Sequence, residues 1–498
     1  MSLREMRHNP LRIVGSALAL SLLVPATAAG APEQASAATA APAHFIVLGP
    51  TGESLQTTGD SVRDTGGTVV QSWPEIGVVL ATSTDPGFAE AVRDEPAVDG
   101  AGASRNLAEQ RPDNKRASTI EKVSGTAEPQ ATIAGAEREP LESEQWDMRM
   151  IRSPKAHTVS EGSEDITVGV LDFGIDPTHP DLAPNLDMSK SVSCVDNGIP
   201  DTSVEAWAPT GIQQSHGSHV AGSIAAARND VGIAGVAPNV KLASIRVVSD
   251  EGFIYPGAAI CGFMWAAEHG IDVTNSSYYV DPWQLWCRKD PDQAAAAEAV
   301  RRAVAYAQDH DIVNVVAAGN SNWDLHKPVH DTTSPNNGGP TQDRWAGPNC
   351  AVLPGELPGV VTVSAVGPEQ EKSFYSNYGI QEIDVTAPGG DSEQTPATPS
   401  GNGLVLSTLA GGGWGYMQGT SMASPHAAGV VALIRSTHPD WTAAQVKDAM
   451  ATQADSLPCP KGYDTDGDGE RDAQCNGGRT GAGFYGAGLI DALDAVRR

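Results

Sequence analysis

The chain has 498 residues, enough for two or three domains, with 40% hydrophobic and only 5% aromatic content. Lys and Arg total 32 against 61 Asp and Glu, a formal net charge of −29. That balance excludes nucleic acid as a partner, because affinity for phosphates rests on Lys and Arg, and it suits a soluble monomer with little tendency to self-associate.

Arg4, Arg7 and Arg12 open the chain with positive charge, Ile13 to Val24 is apolar, and Pro25 to Ala29 supplies small residues. This is the pattern of a signal peptide over residues 1–30. The apolar run, about a dozen residues, is too short to anchor in a bilayer. The mature protein is therefore expected to be secreted, extracellular and free of the membrane. Residues 31–43 are rich in Ala, Pro and Ser and read as a flexible lead.

From 44 to 104 the pattern is that of a small module. His44–Leu48 reads as a strand, Leu55–Gly66 as a weak helix, Thr68–Trp73 and Ile76–Ala81 as strands around a Pro-containing turn, and Pro86–Glu95 as a helix. The order βαββα, followed by a short apolar piece, predicts a small α+β domain. Residues 105–144 are charged without an apolar period and read as a linker of the kind where proteolytic nicking concentrates.

Residues 145–498 follow a different pattern. Strands at Ile166–Leu171, Val240–Val248, Ile271–Asn275, Ile312–Ala317 and Val360–Ala365 alternate with helices at Ser218–Arg228, Pro256–His269 and Gln293–Gln308. Thr442 with Gln445 three residues on opens a further helix as a capping box. This alternation predicts an α/β fold, a parallel sheet with helices on both faces. Sites in such folds gather at the carboxyl ends of the strands. Asp172 and Asn320 both fall there.

Three places carry reactive chemistry. In Gly419-Thr420-Ser421-Met422-Ala423-Ser424-Pro425-His426, a glycine-rich run passes into an apolar helix. Pro425 is tolerated only in a first helical turn, which puts Ser421 at or just before the helix N-terminus. Such a serine is either a nucleophile favoured by the dipole or an N-cap, and these residues alone leave both open. Asp172 ends the buried run Val170-Leu171-Asp172, as an acid aimed at a site or as the cap of a turn. His216-Gly217-Ser218-His219 has histidines at i and i+3, but no acidic third ligand of a His-Glu-x-x-His zinc site. Asp, His and Ser together are what nucleophilic acyl transfer needs. The histidine takes the serine proton while the aspartate holds the imidazole.

The segments LDFGIDPTHPDL, HGSHVAGSIAA, GVAP, VVAAGN and GTSMASPH, in this order, resemble those of the subtilisin-like serine peptidases, the subtilases. The resemblance runs through residues 145–498. It implies Asp172 as the orienting acid, His216 as general base and acid, Ser421 as nucleophile, and His219 as structural. Asn320 follows Gly319 and would by itself read as a turn residue. The resemblance makes it the side-chain donor of an oxyanion hole. It also implies substrate contacts at Ser277, Tyr278, Tyr279, Gly319 and Val352. Tyr278, Tyr279 and Val352 are bulkier than the family's usual occupants. They narrow the cleft towards small or medium apolar side chains, or else point into the core.

By the same resemblance, residues 44–104 are an inhibitory propeptide, the maturation site lies within 105–144, and protein or peptide substrates are the partners. No cofactor is needed for catalysis. The implied function is a secreted serine endopeptidase made as a zymogen, with a selective processing peptidase as the narrower alternative. A non-catalytic binding protein on the same scaffold is the competing class, and an intact set of four residues speaks against it.

Calcium is expected as a structural ion. Asp181, Asn229 and carbonyls of the 228–233 loop match the family's cation site. Asp464, Asp466 and Asp468, with Gly469, Glu470 and Asp472, copy the first half of an EF-hand loop, but Cys475 stands where the bidentate Glu belongs. A solvated acidic hairpin is the alternative. The six cysteines of an exported chain predict disulfides. Cys459–Cys475 closes a short polar loop and is expected first, with Cys287–Cys350 and Cys194–Cys261 as the remaining pairs.

Overall fold

The computed structural model describes residues 42–105, 121–122, 139–337, 340–465 and 467–497. The expected signal peptide, most of the flexible lead, most of the charged linker and Asp466 lie outside the described residues.

Seven parallel strands form the main sheet. Across it they run Val385–Pro388, Val361–Val366, Val313–Ala317, Val273–Ser276, Thr167–Asp172, Lys241–Arg246 and Val192–Ser193. Val-rich, unalternating strands suit a sheet covered on both faces, and every residue of Thr167–Asp172 is buried. This central strand pairs with Lys241–Arg246 on one side and Val273–Ser276 on the other. The strand order reverses there, leaving a crevice beyond its carboxyl end. The helix Thr420–Thr437 lies at the heart of the larger core cluster, its Ala423, Ala427, Val430 and Ile434 packed with Val168, Val315 and Val363.

The leading module is a four-stranded antiparallel sheet in the order Thr68–Trp73, Val78–Ser83, Ala43–Leu48, Gly100–Ala103. The last strand is the short apolar piece that followed the βαββα pattern. Successive strand residues face opposite ways. Phe45 and Val47 close over the module's own helices through Val62, Phe88 and Val92. Ile46, Leu48, Trp73 and Leu80 face the other way and join the core around the helices Pro256–Glu268 and Pro291–Asp309. Arg302 of the second helix donates to the carbonyls of Gly49 and Ile76 at 3.1 Å.

Two strands, Val405–Thr408 and Trp414–Met417, were not anticipated, because the sequence between them is dominated by glycine. They pair antiparallel, and the backbone of Glu121–Lys122, inside the expected linker, adds to Gly415–Tyr416. Disulfides join Cys194 to Cys261, Cys287 to Cys350, and Cys459 to Cys475. Among the described residues, no helix is long and apolar enough to cross a membrane.

Candidate active site

Asp172 is the last residue of the central strand and is buried. Its Oδ1 and Oδ2 lie 2.9 and 2.8 Å from Nδ1 of His216. Oδ1 also accepts the Phe173 N–H at 2.7 Å, which fixes the carboxylate. A carboxylate only accepts, so Nδ1 carries the hydrogen and Nε2 of the neutral ring is the acceptor. His216 opens the helix His216–Ala225. Gly217 lets that helix approach, since a Cβ there would stand 2.4 Å from the Gly174 carbonyl oxygen. His219, one turn on, is fully buried, with Nε2 at 3.0 Å from the Gly415 carbonyl. Burial and the neighbouring His216 hold its pKa down to about 3, so it stays neutral.

Ser421 lies on the helix Thr420–Thr437, whose N-cap is Gly419 with no side-chain cap. The N-cap reading of Ser421 is therefore set aside, because Ser421 is already helical. Its hydroxyl donates to the Ser277 carbonyl at 3.1 Å instead of to its own helix. The expectation that Pro425 falls in the first turn is also corrected, since it is the sixth residue of the helix. A proline there cannot donate to the carbonyl four residues back, which is that of Ser421. That carbonyl instead accepts the Ser277 hydroxyl at 3.0 Å. The missing helical bond thus ties the helix that carries Ser421 to the edge of the cleft.

Asn320 follows the strand Val313–Ala317. Its Oδ1 accepts both the N–H and the hydroxyl of Thr420, each at 2.8 Å. These donors assign the amide orientation and leave the Nδ2 donor for the cleft, which Asn320 lines. Asn377, 2% exposed, clamps the same loop. Its Oδ1 accepts the N–H of Ser321 and of Trp323, each at 3.0 Å, and its Nδ2 and N–H donate to the carbonyls of Ala318 and Gly319, each at 2.9 Å. Gly319 has φ +103°, and a Cβ on it would meet the Asn377 amide at 2.5 Å. Neither Thr420 nor Asn377 was singled out from sequence. No local period links them to Asn320.

A cleft of about 340 Å³ brings together Asp172, His216, Asn320 and Ser421. It is also lined by Ser277, Tyr278, Tyr279, Gly319 and Val352, the five expected substrate contacts. Val352 and Tyr279 do two things at once. They line the cleft and also pack with Leu285, Val329 and Ala346 in a small satellite core. The Tyr278 hydroxyl is buried without a hydrogen-bond partner, and burial raises its pKa. Gln284, Val248 and Ile254 line the cleft too and were missed, as they sit on loops between elements.

Among the described residues, no group of three or more His, Cys, Asp or Glu is gathered as a metal site. Asp181 and Asn229 are nonetheless neighbours. Asp181 Oδ2 accepts Ile233 N–H at 3.1 Å and Trp414 Nε1–H at 2.8 Å, while its Oδ1 is buried with no partner. Asn229 Oδ1 accepts the Val231 N–H and its Nδ2 donates to the Pro180 carbonyl. Glu139, unnoticed in the sequence, adds a second orphaned buried oxygen, Oε2, and burial pushes its pKa up to about 7. In the acidic loop, Asp464 accepts the Gly467 and Gly469 N–H groups, Asp468 accepts that of Glu470, and Asp472 binds Thr465. These carboxylates are largely satisfied by their own loop.

A doubly covered parallel sheet, with the cleft at its carboxyl edge and a serine on the first turn of a helix beside it, is the architecture of a subtilisin-like peptidase. The chain belongs to the Subtilase family (peptidase S8), which matches residues 163–483. It is similar to Subtilisin NAT of Bacillus subtilis subsp. natto, 32% identical over 64% of this chain and 68% of that one. It is likewise 32% identical to Subtilisin of Bacillus pumilus, over 63% of this chain and 92% of that one. Among solved structures, the epidermin leader peptide processing serine protease of Staphylococcus aureus shares the fold, with TM-score 0.66, 19% identity, and coverage of 91% of this chain and 98% of that one. A protease of Pseudoalteromonas arctica aligns with TM-score 0.52 and 28% identity over 73% of this chain and 99% of that one. The protein is thus a serine peptidase of the subtilisin family.

Proposed function

We propose that the chain is a secreted endopeptidase, made as a zymogen, that cuts peptide bonds through an acyl-enzyme on Ser421. The observation that carries this reading is the gathering of Asp172, His216, Asn320 and Ser421 into one cleft, with His216 Nδ1 bound by both oxygens of Asp172. Ser421 Oγ attacks the substrate carbonyl carbon and its proton passes to His216 Nε2. Asp172 keeps the tautomer and stabilises the imidazolium. The carbonyl oxygen, now an oxyanion, accepts from Asn320 Nδ2 and the Ser421 N–H, one of the first-turn donors that no helical carbonyl uses. Collapse breaks the C–N bond, and the leaving amine takes the proton from His216. Water then repeats the sequence and frees Ser421.

The zymogen reading draws support from the leading module. Its apolar face and the Arg302 contacts seat residues 44–104 on the two helices beside the cleft. The linker 105–144 then holds the maturation site. Tyr278, Tyr279 and Val352 narrow the cleft and favour small or medium apolar side chains. This would also suit a selective processing peptidase. Residues 145–498 would be the catalytic domain.

A structural calcium ion fits the orphaned Asp181 Oδ1 and Glu139 Oε2, hard oxygens with nothing else to bind. Asn229 and carbonyls of the 228–233 loop would complete the shell. The acidic loop with Asp464, Asp466, Asp468, Glu470 and Asp472 is a second candidate. Calcium titrations followed by thermal unfolding of Asp181→Ala and Asp464→Ala chains separate the two.

The test of the main reading compares wild type with Ser421→Ala. Wild type is expected to mature to a shorter chain and to be labelled by a fluorophosphonate on Ser421, while the variant stays full length and unlabelled. Identical processing of both would favour a non-catalytic binding protein.

A further inference from the structure

Arg105, the first residue of the linker after the leading module, lies half-buried against the body of the chain that follows. Its guanidinium carbon sits 4.3 Å from the ring centroid of Tyr255, a cation–π contact. Its Nη2 donates to Asn197 Oδ1 at 3.3 Å. The Asn197 amide is set for this role, because its Nδ2 is engaged at 2.9 Å by Asp196 Oδ1. That leaves the carbonyl oxygen facing the cation. The carboxylates of Asp196 and Glu251 lie near enough to favour the charged guanidinium against the cost of its burial.

The two walls of this site come from distant parts of the chain. Asn197 is on a loop just after Cys194, and Tyr255 is the N-cap of the helix Pro256–Glu268, which contains Cys261. The Cys194–Cys261 disulfide joins them. The site also continues the cleft, since Gly252 and Ile254 line the cleft and Tyr255 is the next residue. Glu251 stands at the same edge.

We propose that Tyr255, Asn197, Asp196 and Glu251 form a subsite for an arginine side chain at the far end of the cleft, filled by the chain's own Arg105 before maturation and by a basic residue of the substrate afterwards. This rests on the peptidase reading above. Maturation within the linker would cut after Arg105, so Arg105 lies on the amino-terminal side of the bond broken. Substrates would accordingly present arginine several residues upstream of theirs. The ligand class is a cationic, planar side chain, which a tyrosine face, an amide oxygen and two carboxylates recognise together.

The test uses mature enzyme and internally quenched peptides that share one scissile sequence. Arginine or citrulline, which has the same shape without the charge, is placed in turn at each of several upstream positions. A short peptide lacking the upstream segment is the reference. At one position the arginine peptide is expected to show about tenfold higher kcat/KM than its citrulline twin, the size of a partly desolvated cation–π contact with charge support. In an Asp196→Asn, Glu251→Gln enzyme the preference should shrink severalfold. Both residues are exposed, so the changes spare the core. Equal rates for arginine and citrulline at every position, with the reference peptide cleaved, would overturn the subsite and leave Arg105 as a propeptide anchor only. A preference unchanged in the double variant would assign it to the overall negative charge and also overturn the site. Failure to cleave the reference peptide would overturn the peptidase reading itself.

Discussion

Beneath the helix that carries Ser421, Asp147 and His426 are joined by a hydrogen bond between side chains that are both 0% exposed. Asp147 Oδ2 is 2.8 Å from His426 Nε2, and His426 Nδ1 is 2.7 Å from the carbonyl of Met422, the residue after Ser421. Both ring nitrogens are thus engaged within the core. Replacing Asp147 by Leu leaves one of them buried without a partner, which costs about 1–3 kcal/mol, whereas replacing both partners by apolar residues is often near neutral. Unfolding entropy of about 2.1 cal/mol/K per residue over about 350 residues converts that cost to a fall in Tm of roughly 1.5–4 °C. The assay is thermal unfolding of full-length chains carrying Ser421→Ala, which suppresses self-digestion. Asp147→Leu is expected to lose those degrees, and Asp147→Leu with His426→Leu to regain most of them. A single variant within about 1 °C of the parent, or a double variant that loses the sum of the two singles, would refute the reasoning.

Asn320→Leu should lower kcat by about 100- to 1000-fold with KM nearly unchanged, a magnitude established within this family rather than worked from this structure. A large rise in KM with intact kcat would remove Asn320 from the oxyanion hole. Asn377→Ala should lower kcat by roughly 10- to 100-fold through misplacement of the Asn320 loop, yet cost little more in an Asn320→Leu background. Equal losses in both backgrounds would show that Asn377 does not act through Asn320. Lys372, 1% exposed, donates to Asn322 Oδ1 at 2.7 Å, and burial holds its pKa down to about 7 despite Asp391 and Asp472 nearby. Between pH 7 and the unfolded value of 10.5 the unfolded chain binds the proton more readily. Stability should therefore rise with pH across that window. The difference between wild type and Lys372→Met, followed by denaturant unfolding, should grow over the same range, and parallel curves would contradict it.

Much of the architecture was legible because strands and helices here are long, apolar and regularly alternating. Asp172, Asn320 and Ser421 each stand at a boundary between a buried run and a glycine-rich or polar turn, where the sequence changes character abruptly. What escaped was whatever depends on tertiary meeting. Asn377 and Thr420 hold Asn320 and its loop from 56 and 100 residues away. Trp414–Met417 pairs with Val405–Thr408, and the glycines 411–413 between them masked both strands in the sequence. Pro425 reads as a helix-start signal, yet it sits deeper, because Ser277 compensates the bond it cannot make. The arginine site needs residues 105, 197 and 255 at once, and no window of sequence contains them.

The wide separation of Asp172 and Ser421 has a consequence in time. Ser421 follows Asp172 by 421 − 172 = 249 positions. A chain emerging from the ribosome therefore lacks the serine until its last fifth is under way. The leading module is synthesised first, and both helices it rests on, Pro256–Glu268 and Pro291–Asp309, also precede the serine. The module and its seat can be assembled before the serine exists, so under the zymogen reading proposed above the order of translation would put the inhibitor in place ahead of the activity it restrains.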